Sequence, residues 1–200
     1  MDPPAPGRLD LFRRLAMKPL DWLFQALRVR QVRPHIKLGA RVLDVGCGDG
    51  GFFLALDGQI SEGVGIDTDL RAPVDVGVCR LLRGAFPDDL PEHLGTFDAI
   101  TMMAVLEHVP PERQPALAAA CRELLRPGGR LIITVPSPLV DHILHLLKYL
   151  PFLYEGRSLE QHYGYDAQQT PAVFAGLTLL VAKRFEFGLN HLFVFERSAR

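Results

Sequence analysis

The sequence predicts an α/β fold: a doubly wound, mostly parallel sheet that closes with a C-terminal antiparallel hairpin. Three observations predict it. Short apolar, β-branched runs recur near residues 41–45, 63–66, 79–82, 97–102 and 130–135, with room for a helix or loop between them. Such alternation calls for parallel strands joined by right-handed crossovers. The first run ends in a glycine-rich loop, Gly46-Cys47-Gly48-Asp49-Gly50-Gly51. The last two β-rich runs, Leu177 to Phe187 and Asn190 to Arg197, are separated only by a turn around Gly188-Leu189, which fits a hairpin and not a crossover.

At 200 residues, 48% hydrophobic and 22% charged, the chain can bury one sizeable core and has little room for a second. Residues 39–200 form the expected catalytic-type domain, with 1–38 as a basic arm and a helix packed on it. Within 8–37 stand Arg8, Arg13, Arg14, Lys18, Arg28, Arg30, Arg33 and Lys37 against only Asp10 and Asp21. A solvated face explains this arm; contact with an anionic substrate or a membrane surface is the alternative. Leu20 to Val32, with Trp22, Leu23, Phe24, Ala26, Leu27 and Val29, reads as an amphipathic helix that ends before Pro34.

Net charge of −1 gives no general attraction to nucleic acid, and none is expected as a partner. Cys47, Cys79 and Cys121 form no C-x-x-C pair, so neither a disulfide framework nor a zinc site is expected and a cytoplasmic setting follows. No signal peptide, internal repeat or apolar run of about 18 residues is present. A monomer or homodimer is expected.

Val42-Leu43-Asp44-Val45 running into the glycine loop is the most informative stretch, because bare backbone there admits a nucleoside close to the chain. A helix opening near Gly50 is expected to aim free N–H groups and a positive dipole end at the ligand. Gly46, Gly48 and Gly51 fit the dinucleotide spacing G-x-G-x-x-G, while Gly46, Gly48 and Gly50 fit the G-x-G-x-G loop of S-adenosylmethionine (SAM) enzymes. Asp44 favours the second. A carboxylate there would face an anionic pyrophosphate, but it suits a cationic sulfonium and α-ammonium. Gly63-Val64-Gly65-Ile66-Asp67 reads as a second strand whose terminal acid, 21 residues after Gly46, can accept both hydroxyls of a ribose.

Phe97-Asp98-Ala99-Ile100-Thr101-Met102-Met103 is a further strand, leading into Ala104-Val105-Leu106-Glu107-His108-Val109. Leu124-Leu125-Arg126-Pro127-Gly128-Gly129 then gives a helix end and a turn before the buried run from Arg130 to Val135. Thr170-Pro171 is a good helix start and Gly176 a good stop.

From about Arg41 to Pro136, the ordered motifs D-x-G-C-G-x-G, F-D-x-I, L-E-H-V and L-R-P-G-G make the chain resemble the class I SAM-dependent methyltransferases, in particular the small-molecule methyltransferase group. The resemblance implies a Rossmann-like sheet of seven strands with only the last reversed, and SAM as methyl donor, leaving S-adenosylhomocysteine. It also implies a partly hydrophobic small-molecule acceptor, methylated on O, N or C. The cofactor-contacting set it implies is Asp44, Gly46, Cys47, Gly48, Gly50, Asp67, Thr68, Ala85, Phe86 and Met103. In the resembled fold the N-terminal helix lies across the cofactor or substrate entrance.

The chain departs from that pattern in three places. The ubiquinone-biosynthesis relatives carry a Glu three residues before the Glu-His pair, where this chain has Ala104, so no metal is expected beside Glu107 and His108. The crossover after Asp67 is short and interrupted by Pro73, leaving one sheet edge thinly covered. Ala85 takes the place of an adenine-binding acid, so backbone groups, Phe86 or Asp88 must serve instead.

The segment 137–166 is the expected lid and acceptor wall. Leu139, Val140, Ile143, Leu144, Leu146 and Leu147 make it strongly apolar, before Glu160-Gln161-His162-Tyr163. His162 and His108 are the candidate catalytic bases. His142 and His145 lie one helical turn apart without an evident third metal ligand. Two other readings stay open: a nicotinamide-dependent oxidoreductase, on the alternative glycine spacing, and a catalytically silent binding protein of the same fold.

Overall fold

A computed structural model describes residues 19–137 and 165–199. The chain begins with α1 (Pro19–Val32), whose end is set by Pro34 in the 3-10 turn Arg33–His35. It continues through β1 (Ala40–Val45), α2 (Gly51–Ala55), β2 (Ile60–Asp67), β3 (Val74–Val76), β4 (Cys79–Arg83) and β5 (Phe97–Met103). Next come α3 (Gln114–Leu124), β6 (Leu125–Pro136), α4 (Thr170–Val173), β7 (Thr178–Phe185) and β8 (Asn190–Glu196). Pro171 opens α4, and the Leu177 N–H closes back on the Phe174 carbonyl before β7.

One sheet carries all of the described strands, in the order β3-β4-β2-β1-β5-β6-β8-β7. The pairs β4-β2, β2-β1, β1-β5 and β5-β6 are parallel, while β8 runs antiparallel to both β6 and β7. The sheet thus has eight strands where seven were expected. The added one is β3, which pairs antiparallel with β4 through the two-residue turn Gly77-Val78. Pro73 and the short run after Asp67 leave no length for a crossover helix, and Val74 to Val76 instead pair along the β4 edge. The Pro127-Gly128-Gly129 turn lies inside β6 as a bulge. Phe97 pairs with Leu125, yet Ala99 pairs with Arg130.

The central strands are apolar on both faces because both faces are covered. Leu131, Ile133, Val135, Phe193 and Phe195 point into a core with Leu117 and Cys121 of α3 and Phe174 beside α4. Their neighbours Ile132, Leu192 and Val194 point into a second core with Val29 and Val32 of α1 and Phe52 and Phe53 of α2. Only the last turns of α1 follow the amphipathic expectation: Val29 and Val32 are buried, while Leu23 is 44% exposed.

Candidate functional site

A cavity of about 720 Å³ opens at the carboxyl ends of β1, β2, β4 and β5, where an open parallel sheet splits its crossovers to either face. Its floor is Val45, Gly46, Ile66 and Asp67; one wall is Gly84, Ala85 and Phe86, and the other Met103, Val105, His108, Val109, Arg113 and Leu117. Of the expected cofactor residues, Gly46, Asp67, Thr68, Ala85, Phe86 and Met103 line this cavity, whereas Asp44, Cys47, Gly48 and Gly50 do not.

Packing explains the close approach at Gly46. A Cβ there would lie 2.3 Å from Val105 Cγ2, and the backbone is left-handed at φ 74°. Gly48 is required for another reason. Space around its Cβ position is open, but φ is 52°. Gly50 faces Leu81 of β4 and caps α2 in the left-handed region. Cys47 is buried over Gly65, its Sγ 2.6 Å from where a Cβ would stand, and burial together with nearby carboxylates raises its thiol pKa.

Most of the donors expected to be free in the loop are engaged. The N–H groups of Gly46 and Cys47 bond the Ile66 carbonyl, Gly48 N–H bonds Asp67 Oδ2 at 2.8 Å, and Gly50 N–H bonds the Cys47 carbonyl. Gly51 N–H is held by Asp49 Oδ1 at 3.1 Å, and α2 is only five residues long, so its dipole contributes little. A pyrophosphate would therefore meet engaged amides.

Carboxylates dominate instead. Asp67 takes Gly48 N–H on Oδ2 and Asp69 N–H on Oδ1, each at 2.8 Å, and each oxygen keeps a lone pair that a ribose hydroxyl can use. Asp69 also lines the cavity. Arg113 is the lining residue with a permanent positive charge, and its guanidinium is paired with the Asp88 carboxylate. Asp88, considered for the adenine, does not line the cavity. Ala85 N–H is taken at 2.7 Å by Asp89 Oδ2, so the carboxylate beside Ala85 comes from Asp89.

Asp44 is 1% exposed behind the glycine loop. Its Oδ1 accepts the Thr101 hydroxyl at 2.6 Å, and its Oδ2 has no partner. Burial pushes the carboxyl up to about 7, against the pull of the Thr101 hydrogen bond, and the Asp67 charge adds to the rise. In the ligand-free protein Asp44 is therefore not the fixed anion the sequence implied, but a buried acid that a cation would ionise.

His108 lines the cavity from the 3-10 turn Leu106–His108, whereas Glu107 beside it is 3% exposed and does not line it. Ala104 ends β5 at φ 57°, its N–H on the Thr134 carbonyl. Among the described residues, no group of three or more His, Cys, Asp or Glu could hold a metal ion. His162, Tyr163, His142, His145 and the apolar run of the 137–166 segment lie outside the described residues. None of the described side chains of α1 lines the cavity, although Gln25 Nε2 stands 3.2 Å from where a Cβ on Gly51 would lie.

Sequence reasoning missed Asp69, Val105 and Arg113. Val109-Pro110-Pro111 was the available signal for Arg113, since Pro111 opens a turn that sets the residue just before α3.

A family model described as a methyltransferase domain matches residues 13–171. A ubiquinone biosynthesis O-methyltransferase of Xanthomonas oryzae is 39% identical over 149 residues, a match covering 64% of this chain and 60% of that protein. This chain thus spans well under two thirds of that relative's length. Among solved structures, a Haloferax volcanii putative methyltransferase in complex with the Trm112 activator aligns with TM-score 0.65 at 16% identity, over 88% of this chain and 90% of that one. A putative SAM-dependent methyltransferase from Listeria monocytogenes aligns with TM-score 0.65 at 13% identity, over 87% and 99%. At such identities, the likeness is one of fold.

Proposed function

The chain belongs to the methyltransferase-domain family, and from that premise we propose that it transfers a methyl group from SAM to a partly hydrophobic small-molecule acceptor. The observation that carries this reading is the absence of an anion cradle in the glycine loop. Most of its amides are engaged within the protein, while Asp67 and Asp69 line the space and the ionisable Asp44 is buried behind the loop, which favours a cationic nucleoside over a pyrophosphate. The same observation weighs against the nicotinamide reading.

In this role Asp67 holds the ribose diol, Phe86 and Met103 flank the adenine and sulfonium ends, and Asp44 lies behind the loop as counter-charge to the ammonium. Bound there, SAM supplies a methyl on a sulfonium carbon, open to in-line displacement. What remains for the protein is alignment and exclusion of water. His108, on the cavity wall, is the described candidate for receiving the acceptor's proton. The name of the Xanthomonas relative supports oxygen as the attacking atom.

Calorimetry with S-adenosylhomocysteine and NADH tests the reading. Binding of the first and not the second is expected; NADH binding with no response to S-adenosylhomocysteine would overturn it.

A further inference from the structure

Two walls of the cavity face each other, and each is braced from within. The wall Gly84-Ala85-Phe86 runs into a turn closed by Asp89, whose Oδ2 takes the Ala85 N–H at 2.7 Å while its own N–H returns to the Ala85 carbonyl at 2.9 Å. Packing tightens the turn further, since a Cβ on Gly84 would lie 2.4 Å from Asp89 Cβ. Asp88 sits inside this closed turn. Opposite, the Arg113 N–H bonds the Pro110 carbonyl at 2.9 Å and Gln114 Nε2 donates to the Val109 carbonyl at 3.2 Å, which fixes the segment that carries Arg113 into α3.

The Arg113–Asp88 ion pair joins the two walls. The other ion pairs among the described residues follow the sheet instead. Arg41–Glu62, Arg126–Asp98 and Arg130–Glu196 each link hydrogen-bonded neighbours, β1 with β2, β5 with β6 and β6 with β8, and none of these residues lines the cavity. Arg113 and Asp88 belong to no such strand pair, and 25 positions of sequence separate them. Their side chains are 46% and 62% exposed, which puts the contact at the rim, whereas Val45 and Ile66 of the floor are buried.

We infer that the Arg113–Asp88 pair is a strap that meters exchange of the nucleoside cofactor. It ties the wall of Phe86 to the wall of Val109, and it parts when S-adenosylhomocysteine leaves and SAM enters. The inference rests on the SAM reading. An ion pair this exposed is weak, because water and salt screen it, so the strap slows passage without sealing the cavity. Braced supports on both sides lower the conformational cost of forming it. A strap that must part for entry and for exit slows both alike, and so changes rates without changing affinity. A residue that only touches the cofactor acts otherwise: its loss quickens release and weakens binding.

Surface plasmon resonance on the immobilised full chain, with S-adenosylhomocysteine as analyte, gives both rate constants. Arg113→Gln and Asp88→Asn are each expected to raise association and dissociation together by about threefold, the dissociation constant holding within a factor of about two. S-adenosylhomocysteine carries an ammonium and a carboxylate and no net charge to be steered, and the two substitutions change the charge of the chain in opposite directions. A shift of the same sign in both variants therefore marks a broken strap and not an altered field. Salt raised from about 0.05 to 0.5 M should quicken both rates in the unaltered chain and barely move them in either variant. Amide exchange without ligand reads the strap by itself: Arg113→Gln should speed exchange at residues 85–90, on the opposite wall. Faster release with weakened binding would make Arg113 a cofactor contact, and unchanged rates in both variants or unchanged wall exchange would reduce the pair to a surface contact; either result overturns the inference. Failure of the unaltered chain to bind S-adenosylhomocysteine would overturn the cofactor reading instead, a failure that the exchange measurement keeps separate from that of the strap.

Discussion

Asp67 and Gly48 are joined by a 2.8 Å hydrogen bond, from the glycine N–H to Oδ2 of the acid. An acid that lines the cavity thus also holds the shape of the glycine loop beside it. Asp67→Ala should therefore weaken S-adenosylhomocysteine binding by about 1.5–3 kcal/mol, the range for charge-assisted hydrogen bonds, and should also loosen the loop by freeing the Gly48 and Asp69 amides. Calorimetry with amide exchange at residues 46–51 checks both halves. Lost binding with unchanged exchange would confine Asp67 to ligand contact.

Gly46 and Val105 make a second pairing that can be dissected. Gly46→Ala places a methyl 2.3 Å from Val105 Cγ2 and also forces alanine into φ 74°, so a loss of about 2–4 kcal/mol in unfolding free energy is expected. Adding Val105→Ala should relieve the clash but not the backbone strain, which is worth about 1–2 kcal/mol. Chemical denaturation of the four proteins in the cycle gives the answer; simple additivity would mean that the two side chains never meet.

Asp44 gives a pH dependence whose sign is opposite to that of a salt-bridged acid. Its carboxyl sits near 7 in the folded chain against an ordinary 3.8, so the folded state holds more protons in between, and this group's contribution to stability falls as pH rises through that window. Asp44→Asn should flatten the fall. A cation binding beside the group should ionise it, so SAM binding near pH 7 is expected to release a proton, seen as a dependence of binding enthalpy on buffer ionisation heat. The asparagine variant should show none.

Much of this was legible from sequence because the signals were local. The apolar run of Leu131 to Val135 and the turn at Gly188 mark a strand and a hairpin whatever the rest does, and both stand where expected. The glycines of the loop were legible as backbone, but the fate of their N–H groups was not, since Ile66 and Asp67 reach them from a different strand. Nor could sequence show that Asp88 turns to Arg113, leaving Asp89 beside Ala85, because that choice depends on the fold of one exposed loop. The added strand β3 was half visible: Pro73 ruled out the helix, but nothing local said that the β4 edge would take Val74 to Val76.

The last prediction concerns metal. In the metal-using relatives the resemblance points to, a second acid stands where this chain has Ala104, and only one of the two candidates that remain lines the cavity. His108 is that one, whereas Glu107 is 3% exposed and does not line it. Methyl transfer should therefore survive EDTA, and added magnesium or zinc should not raise it. The same geometry divides the effects of substitution: His108→Ala should lower turnover with little change in stability, while Glu107→Ala should cost about 1–3 kcal/mol of folding free energy, as loss of a buried polar group does. A strict requirement for added metal, abolished by either substitution, would return both residues to a common site.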